Sequence, residues 1–210
     1  MWLGSGAVGG KDSEGGTFKH IDVPPTLVSC AVTTGKAGET VAPEFKAAGH
    51  KVVLLAPAYD ENGLPVTASL LSVFAEATAL LRAGKAVAAY TPGFGGVAEG
   101  VMKMCFGNMV GFRYADGTDP ETLFGYKYGS FILELTEDLP VGQALGSTTS
   151  ESCITLGFER IFLSELLRIY EEKLEPVYSC NISTPEGLVP TFTCRADRGL
   201  VSSFTTAAPT

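Results

Sequence analysis

Short runs of β-branched and aliphatic residues alternate along this chain with segments of helical periodicity. Residues 26–33 (TLVSCAVT), 51–56 (KVVLLA), 85–90 (KAVAAY), 110–114 (VGFRY) and 130–135 (SFILEL) are bounded by Gly, Pro or charge, as buried strands are. Between them Leu70, Phe74, Ala77 and Leu81 recur at helical spacing, which predicts an amphipathic helix over 67–82 ended by Gly84. Residues 97–106 carry only Glu99 and Lys103 as charges and read as a buried helix stopped by Gly107 and Asn108. Such alternation predicts an α/β (α+β) fold, a mixed β-sheet flanked by helices.

Weaker signals complete the expectation. Residues 43–49 read as a short helical turn or loop, and Asp119 followed by Pro120 reads as the N-cap and first position of a short helix over 119–124. Residues 152–156 form a weak strand. Ser164 is expected to cap a helix over 165–174, with Leu166, Leu167, Tyr170 and Leu174 on one face. Beyond Pro176 helical periodicity stops, and the stretch to residue 210 reads as an extended, protease-sensitive tail. The glycine-rich start, residues 3–16, reads as a strand end and a turn, as if cut from a larger protein. Residues 3–11 and 26–33 are expected to lie together in the sheet, because both are apolar and bracket that turn.

Composition excludes several classes. With 45% apolar residues the 210-residue chain can build a core, and its most apolar window, 64–81, is interrupted by Pro65, Ser69, Ser72 and Glu76, too polar for a membrane span. No basic and apolar leader opens the chain, so the expected compartment is the cytoplasm. Cys30, Cys105, Cys153, Cys180 and Cys194 share no metal-like spacing and read as thiols rather than as a disulfide framework. A net charge of −8, with 15 scattered Lys and Arg, argues against a nucleic-acid partner.

Few motifs carry chemistry. Gly4, Gly6 and Gly9 match a dinucleotide fingerprint by letter only, since no strand precedes them and glycines forbid the helix that should follow. Nor does a phosphate loop fit, with Ser5 in place of its first glycine and Asp12 in place of its hydroxyl. What remains is a compact cation, carboxylate and hydroxyl, Lys11, Asp12 and Ser13, able to hold a phosphate or a metal or merely to decorate a turn. The run Thr91-Pro92-Gly93-Phe94-Gly95-Gly96 ahead of a buried helix is more informative. Glycines admit a close ligand and the unpaired amides of a helix start suit an anion, but close helix-on-strand packing also needs glycine. His20 and His50 pair with nothing in sequence, and Asn181-Ile182-Ser183 would accept a glycan only on a secreted chain.

Taken together, GAVGGKDS (6–13), GGTF (15–18), DVPPTLVSCAV (22–32), TPGFGGVAEGVMKMCFGNMVGF (91–112) and LFGYKYGSFILEL (123–135) resemble the phosphoribosylformylglycinamidine synthase family. The resemblance runs from about residue 6 to 176. It is to the C-terminal subdomain of the second half of the synthetase region in the large single-chain form, related to the C-terminal domain of aminoimidazole ribonucleotide synthase. It implies the end of a preceding segment over 1–16, that domain over 17–176, and over 177–210 a linker toward a glutaminase domain.

The implied function is a share in a purine-biosynthesis ligase. That ligase spends ATP, with magnesium, to activate formylglycinamide ribonucleotide for attack by glutamine-derived ammonia. The chain alone is expected to be inactive and to need no cofactor, its partners being the other synthetase subdomains and the glutaminase. A free-standing phosphate or small-ligand module reusing the fold is the alternative. Ligand-binding residues are expected at Lys11, Asp12, Ser13, Gly93, Gly95 and Gly96, with Lys11 or Lys103 as the cation and Asp12 the one candidate metal ligand. The family's loop has the pattern H-D-x-S-D-G-G. Aligned on Gly95 and Gly96, its two aspartates fall on Thr91 and Phe94 and its serine on Gly93, so an auxiliary magnesium nucleotide is either missing here or held by other groups, and magnesium is expected to add little at this loop. Glu14 stands where the family has methionine.

Overall fold

A computed structural model describes residues 6–13 and 15–179. The chain divides into two compact units, Met1–Glu171 and Glu172–Thr210. In the first, a mixed seven-stranded sheet is built from β5 (Lys51–Leu55), β6 (Ala86–Tyr90), β7 (Gly111–Tyr114), β8 (Phe131–Leu135), β9 (Gln143–Thr149), β10 (Cys153–Leu156) and β11 (Glu159–Phe162). Its order is β11-β10-β7-β9-β5-β8-β6; β10 runs parallel to β7 and the other neighbours are antiparallel. The α/β expectation holds.

Where β5, β8 and β6 lie side by side both faces of the sheet are covered, which is why the interior strand β5 is apolar throughout instead of alternating. Val52 and Leu54 point into a core with Val97, Val101 and Met104 of α2 (Gly96–Phe106) and with Ile132 and Leu145. Val53 and Leu55 point the other way, onto Val73 and Leu80 of α1 (Thr67–Arg82) and onto Leu133 and Leu135. Each fully buried Val, Leu or Ile contributes about 1.5–3 kcal/mol. On α1 the buried stripe is Val73, Ala77 and Leu80, flanked by Phe74 and Leu81, slightly rotated from the expected face. Gly84 ends this helix at φ +67°. Gly100 lets α2 lie close to the sheet, for a Cβ there would sit 2.6 Å from Ile132 Cδ1. In α3 (Pro120–Phe124), Asp119 caps as expected, its carboxylate accepting the Thr122 N–H at 2.8 Å.

Three expectations are corrected. Residues 26–33 do not form a buried strand of the main sheet. β4 (Thr26–Cys30) is exposed along its length and, among the described residues, pairs only with β1 (Gly9–Ser13), Lys11 opposite Val28 and Asp12 opposite Leu27. The two stretches therefore meet, but in a separate two-stranded ribbon, and residues 3–5 lie outside the described part. A second small pair, β2 (Gly16–Phe18) with β3 (Ile21–Val23), fills the interval. The last helix, α4 (Leu163–Glu172), starts before Ser164, so Ser164 does not cap it. Instead β11 runs directly into the helix, and the fully buried Leu163 anchors it, donating its N–H to Ser152 O at 3.0 Å. Residues 43–49 form a loop, one of the two forms expected of them, pinned by Phe45 N–H to Met104 O at 2.8 Å.

Strands β9 and β11 were not foreseen. β9 (QALGSTT) has little β character and becomes a central strand because β5 and β7 flank it. In the second unit residues 173–177 make a turn in which Val177 and Tyr178 donate to Leu174 O. The tail from residue 180, its glycosylation triplet and Glu14 lie outside the described residues. Among those residues no helix is long and apolar enough to cross a membrane.

Candidate functional site

The loop between β6 and α2 is where the sequence placed Gly93, Gly95 and Gly96. Edge strand β6 ends at Tyr90, and the chain turns through exposed Thr91 and buried Pro92. Gly96 then donates its N–H to Gly93 O at 3.1 Å. Gly96 has φ +67°, and a Cβ there would lie 2.6 Å from Leu123 O, so this glycine is required for α2 to pack against the end of α3.

The opening of α2 already holds an anion. Glu99 folds back one turn, and its Oε2 accepts the Gly95 N–H at 2.8 Å. Its Oε1 pairs with Lys103 Nζ at 2.5 Å, one turn further along. The Lys103 hydrogen bond, with the Gly95 N–H second, holds the Glu99 carboxyl below the usual glutamate range, and the same contact raises the Lys103 ammonium. Lys103 also lies 5.6 Å from the centre of the Tyr170 ring. A Cβ on residue 95 would come within 2.5 Å of Glu99 Cβ, so Gly95 too is explained by packing. Gly93 differs: its nearest neighbour would be Glu99 Oε2 at 3.8 Å, leaving its backbone open to approach.

Aromatic side chains flank the loop. Phe94, 80% exposed, has its ring centre 6.0 Å from that of Tyr126, which stacks on Tyr128 at 5.7 Å. The Tyr59 hydroxyl donates to Tyr128 O at 3.1 Å.

The other expected residues lie apart from this loop's contacts. Lys11, Asp12 and Ser13 belong to β1 in the ribbon, where Lys11 Nζ donates to Asp12 O at 2.7 Å. No hydrogen bond or ion pair among the described residues joins them to residues 93–96. Of the two candidate cations, Lys103 is the one tied to the loop, through Glu99.

Magnesium finds no suitable donors here. Among the described residues no group of three or more His, Cys, Asp or Glu side chains is placed to hold a metal. The loop itself meets one carboxylate, Glu99, already spent on an amide and a lysine. A hard cation wants several oxygen ligands, so these residues do not fit it.

Sequence reading missed a second polar centre. The carboxylate of Glu134 on β8, fully buried, accepts the N–H of Lys46 at 2.8 Å and of Ala47 at 3.2 Å, and its Oε1 lies 2.7 Å from His50 Nδ1. Thr148 Oγ1 accepts the His50 N–H at 2.9 Å and donates to Ala47 O at 2.7 Å. A single acidic letter inside an apolar strand was the available signal, since a carboxylate there must be paired. His50 is therefore not isolated, as its position in the sequence suggested.

No protein-family model and no curated protein matches the chain. Solved structures do. Phosphoribosylformylglycinamidine synthase II from Thermotoga maritima superposes with a TM-score of 0.54 at 12% identity, over 67% of this chain and 29% of that one. T. maritima PurL complexed with FGAR gives 0.52 at 10% identity, over 67% and 30%, and PurL complexed with ATP gives 0.51 at 13%, over 67% and 29%. The chain thus spans less than a third of the length of these proteins, and what it shares with them is the fold of the mixed sheet and its flanking helices.

Proposed function

We infer that this chain supplies the α/β subdomain that closes the second half of the synthetase region in a phosphoribosylformylglycinamidine synthase. In that setting it acts with the ATP-binding synthetase subdomains and a glutaminase domain, in the cytoplasm. The whole ligase uses ATP, with its magnesium, and glutamine to convert formylglycinamide ribonucleotide to the amidine. The supporting observation is the shared fold with PurL over 67% of the chain at under a third of PurL's length. The sequence blocks at 6–32, 91–112 and 123–135 add the family wording that the fold alone lacks.

Within that enzyme the chain works by shape and support. Its most polar buried group, Glu134, ties loop 43–50 to the sheet and takes part in no exposed cluster. The loop at Gly93 accepts a phosphate weakly and without magnesium, by displacing the Glu99 carboxylate from the Gly95 N–H and recruiting Lys103. Lys11, Asp12 and Ser13 in the ribbon remain candidates for contact with a ligand held by a neighbouring subdomain.

Reconstitution tests this. The purified chain is mixed with the ATP-binding subdomains and glutaminase, and glutamine-dependent ATP hydrolysis is followed with formylglycinamide ribonucleotide present. Turnover in the mixture and none in the chain alone is expected. A silent mixture of folded components, or turnover by the chain alone, overturns the assignment.

A further inference from the structure

An open surface depression is lined by the exposed residues Thr34, Gly35, Lys36, Glu39 and Arg82. Two elements build it. The 3-10 turn Ala37–Glu39 is braced by Glu39 N–H to Lys36 O at 3.0 Å and by the Thr40 hydroxyl to Ala37 O at 2.7 Å. Arg82 projects from the last residue of α1.

The charges there are unequal. Glu39 Oε2 meets Arg82 Nε at 3.2 Å while its Oε1 meets Lys36 Nζ at 3.6 Å. One carboxylate thus serves two cations, leaving a local excess of positive charge on a chain whose net charge is −8. At Glu99, Glu137 and Asp138, by contrast, one carboxylate meets one cation. Both cations at Glu39 are well exposed, with side-chain accessibilities of 85% for Lys36 and 66% for Arg82, so the carboxylate is held loosely. A guanidinium beside an ammonium, with a hydroxyl and a glycine backbone in the same wall, is a donor set that matches a tetrahedral dianion better than a single carboxylate.

We propose that this exposed charge cluster binds the phosphate group of a small phosphorylated ligand, with Arg82 and Lys36 as its cations and Glu39 as an internal competitor that occupies their place when the ligand is absent. The site is independent of the loop at Gly93 and of the ligase assignment.

The test uses the full chain, labelled with nitrogen-15 and titrated with inorganic phosphate at constant ionic strength, chloride serving as the control anion. Saturable shifts are expected at the amides of Thr34, Gly35 and Lys36, with no response to chloride. The sign of one variant is decisive. Glu39→Gln removes the competitor, so phosphate binding is expected to tighten by about fivefold, the equivalent of one exposed ion pair. The double variant Lys36→Gln/Arg82→Gln is expected to lose at least about tenfold. Unchanged or weaker binding in Glu39→Gln overturns the proposal, as do shifts that survive in the double variant. Shifts confined to residues 93–95 also overturn it, while supporting the loop as the anion site.

Discussion

Glu99 Oε2 accepts the main-chain N–H of Gly95 at 2.8 Å, so α2 caps its own start with a carboxylate of its first turn. An incoming anion at this helix end competes with a tethered one. In Glu99→Gln the tethered charge is gone and Lys103 loses its partner, so phosphate affinity at the loop should rise several-fold by calorimetry. Stability should fall by about 1 kcal/mol, the usual size for a charged hydrogen bond that is partly solvated. Unaltered affinity would show that the loop is a packing device.

Gly93 and Gly95 should not respond alike to alanine. Gly95→Ala forces a Cβ to 2.5 Å from Glu99 Cβ, whereas Gly93→Ala meets only Glu99 Oε2 at 3.8 Å. Thermal denaturation should register a loss of about 1–3 kcal/mol for Gly95→Ala, as for other overpacked sites, and a small change for Gly93→Ala. Equal losses would mean that Gly93 is constrained by something other than space.

Removing the buried carboxylate of Glu134 strands two amide donors and the His50 ring. Glu134→Ala should cost about 3–5 kcal/mol in urea unfolding, in the range for deleting one partner of a buried charged network. Hydrogen exchange at the Lys46 and Ala47 amides should quicken in the same variant, because Glu134 is their acceptor. A cost below about 1 kcal/mol would mean that water replaces the carboxylate without penalty.

Acid should weaken the fold through a small set of carboxyls. Lys103 depresses Glu99, the Thr122 N–H and hydroxyl depress Asp119, and Lys46 depresses Glu44. Each folded value lies below the ordinary one of 4.5 for Glu or 3.8 for Asp, so their stabilisation is complete above those values. It is lost as pH falls through the lowered ones. The unfolding midpoint should be flat near neutrality and drop in acid, with a shallower drop in the triple variant Glu44→Gln/Glu99→Gln/Asp119→Asn. An identical acid limb in that variant would assign the effect to other groups.

Where local chemistry and tertiary demand agree, the letters were enough. Asp119 and Pro120 start a helix, Gly84 stops one, and the unbroken apolar run of β5 announces a strand covered on both faces. β9 was illegible because its two buried side chains, Leu145 and Thr148, are surrounded by glycine and polar residues, and its place follows from neighbours distant in sequence. β4 misled for the opposite reason: TLVSC has strand composition, but composition does not say which sheet, if any, covers it. At the site the glycines were visible while their occupant was not. Glu99 read as a charge on a buried helix, and only the fold shows it reaching back to Gly95.

The pairing of β5 also sets an order in time. Lys51–Leu55 takes its two sheet neighbours from residues 131–135 and 143–147, so a ribosome must add most of the domain before this strand has either edge satisfied. Until then a run of four aliphatic side chains that end up buried, Val52 to Leu55, is an unpaired strand, the kind of segment that chaperones shield and that slows refolding through loop closure. Assembly of the sheet centre is thus a late event, timed by the emergence of β9 from the ribosome.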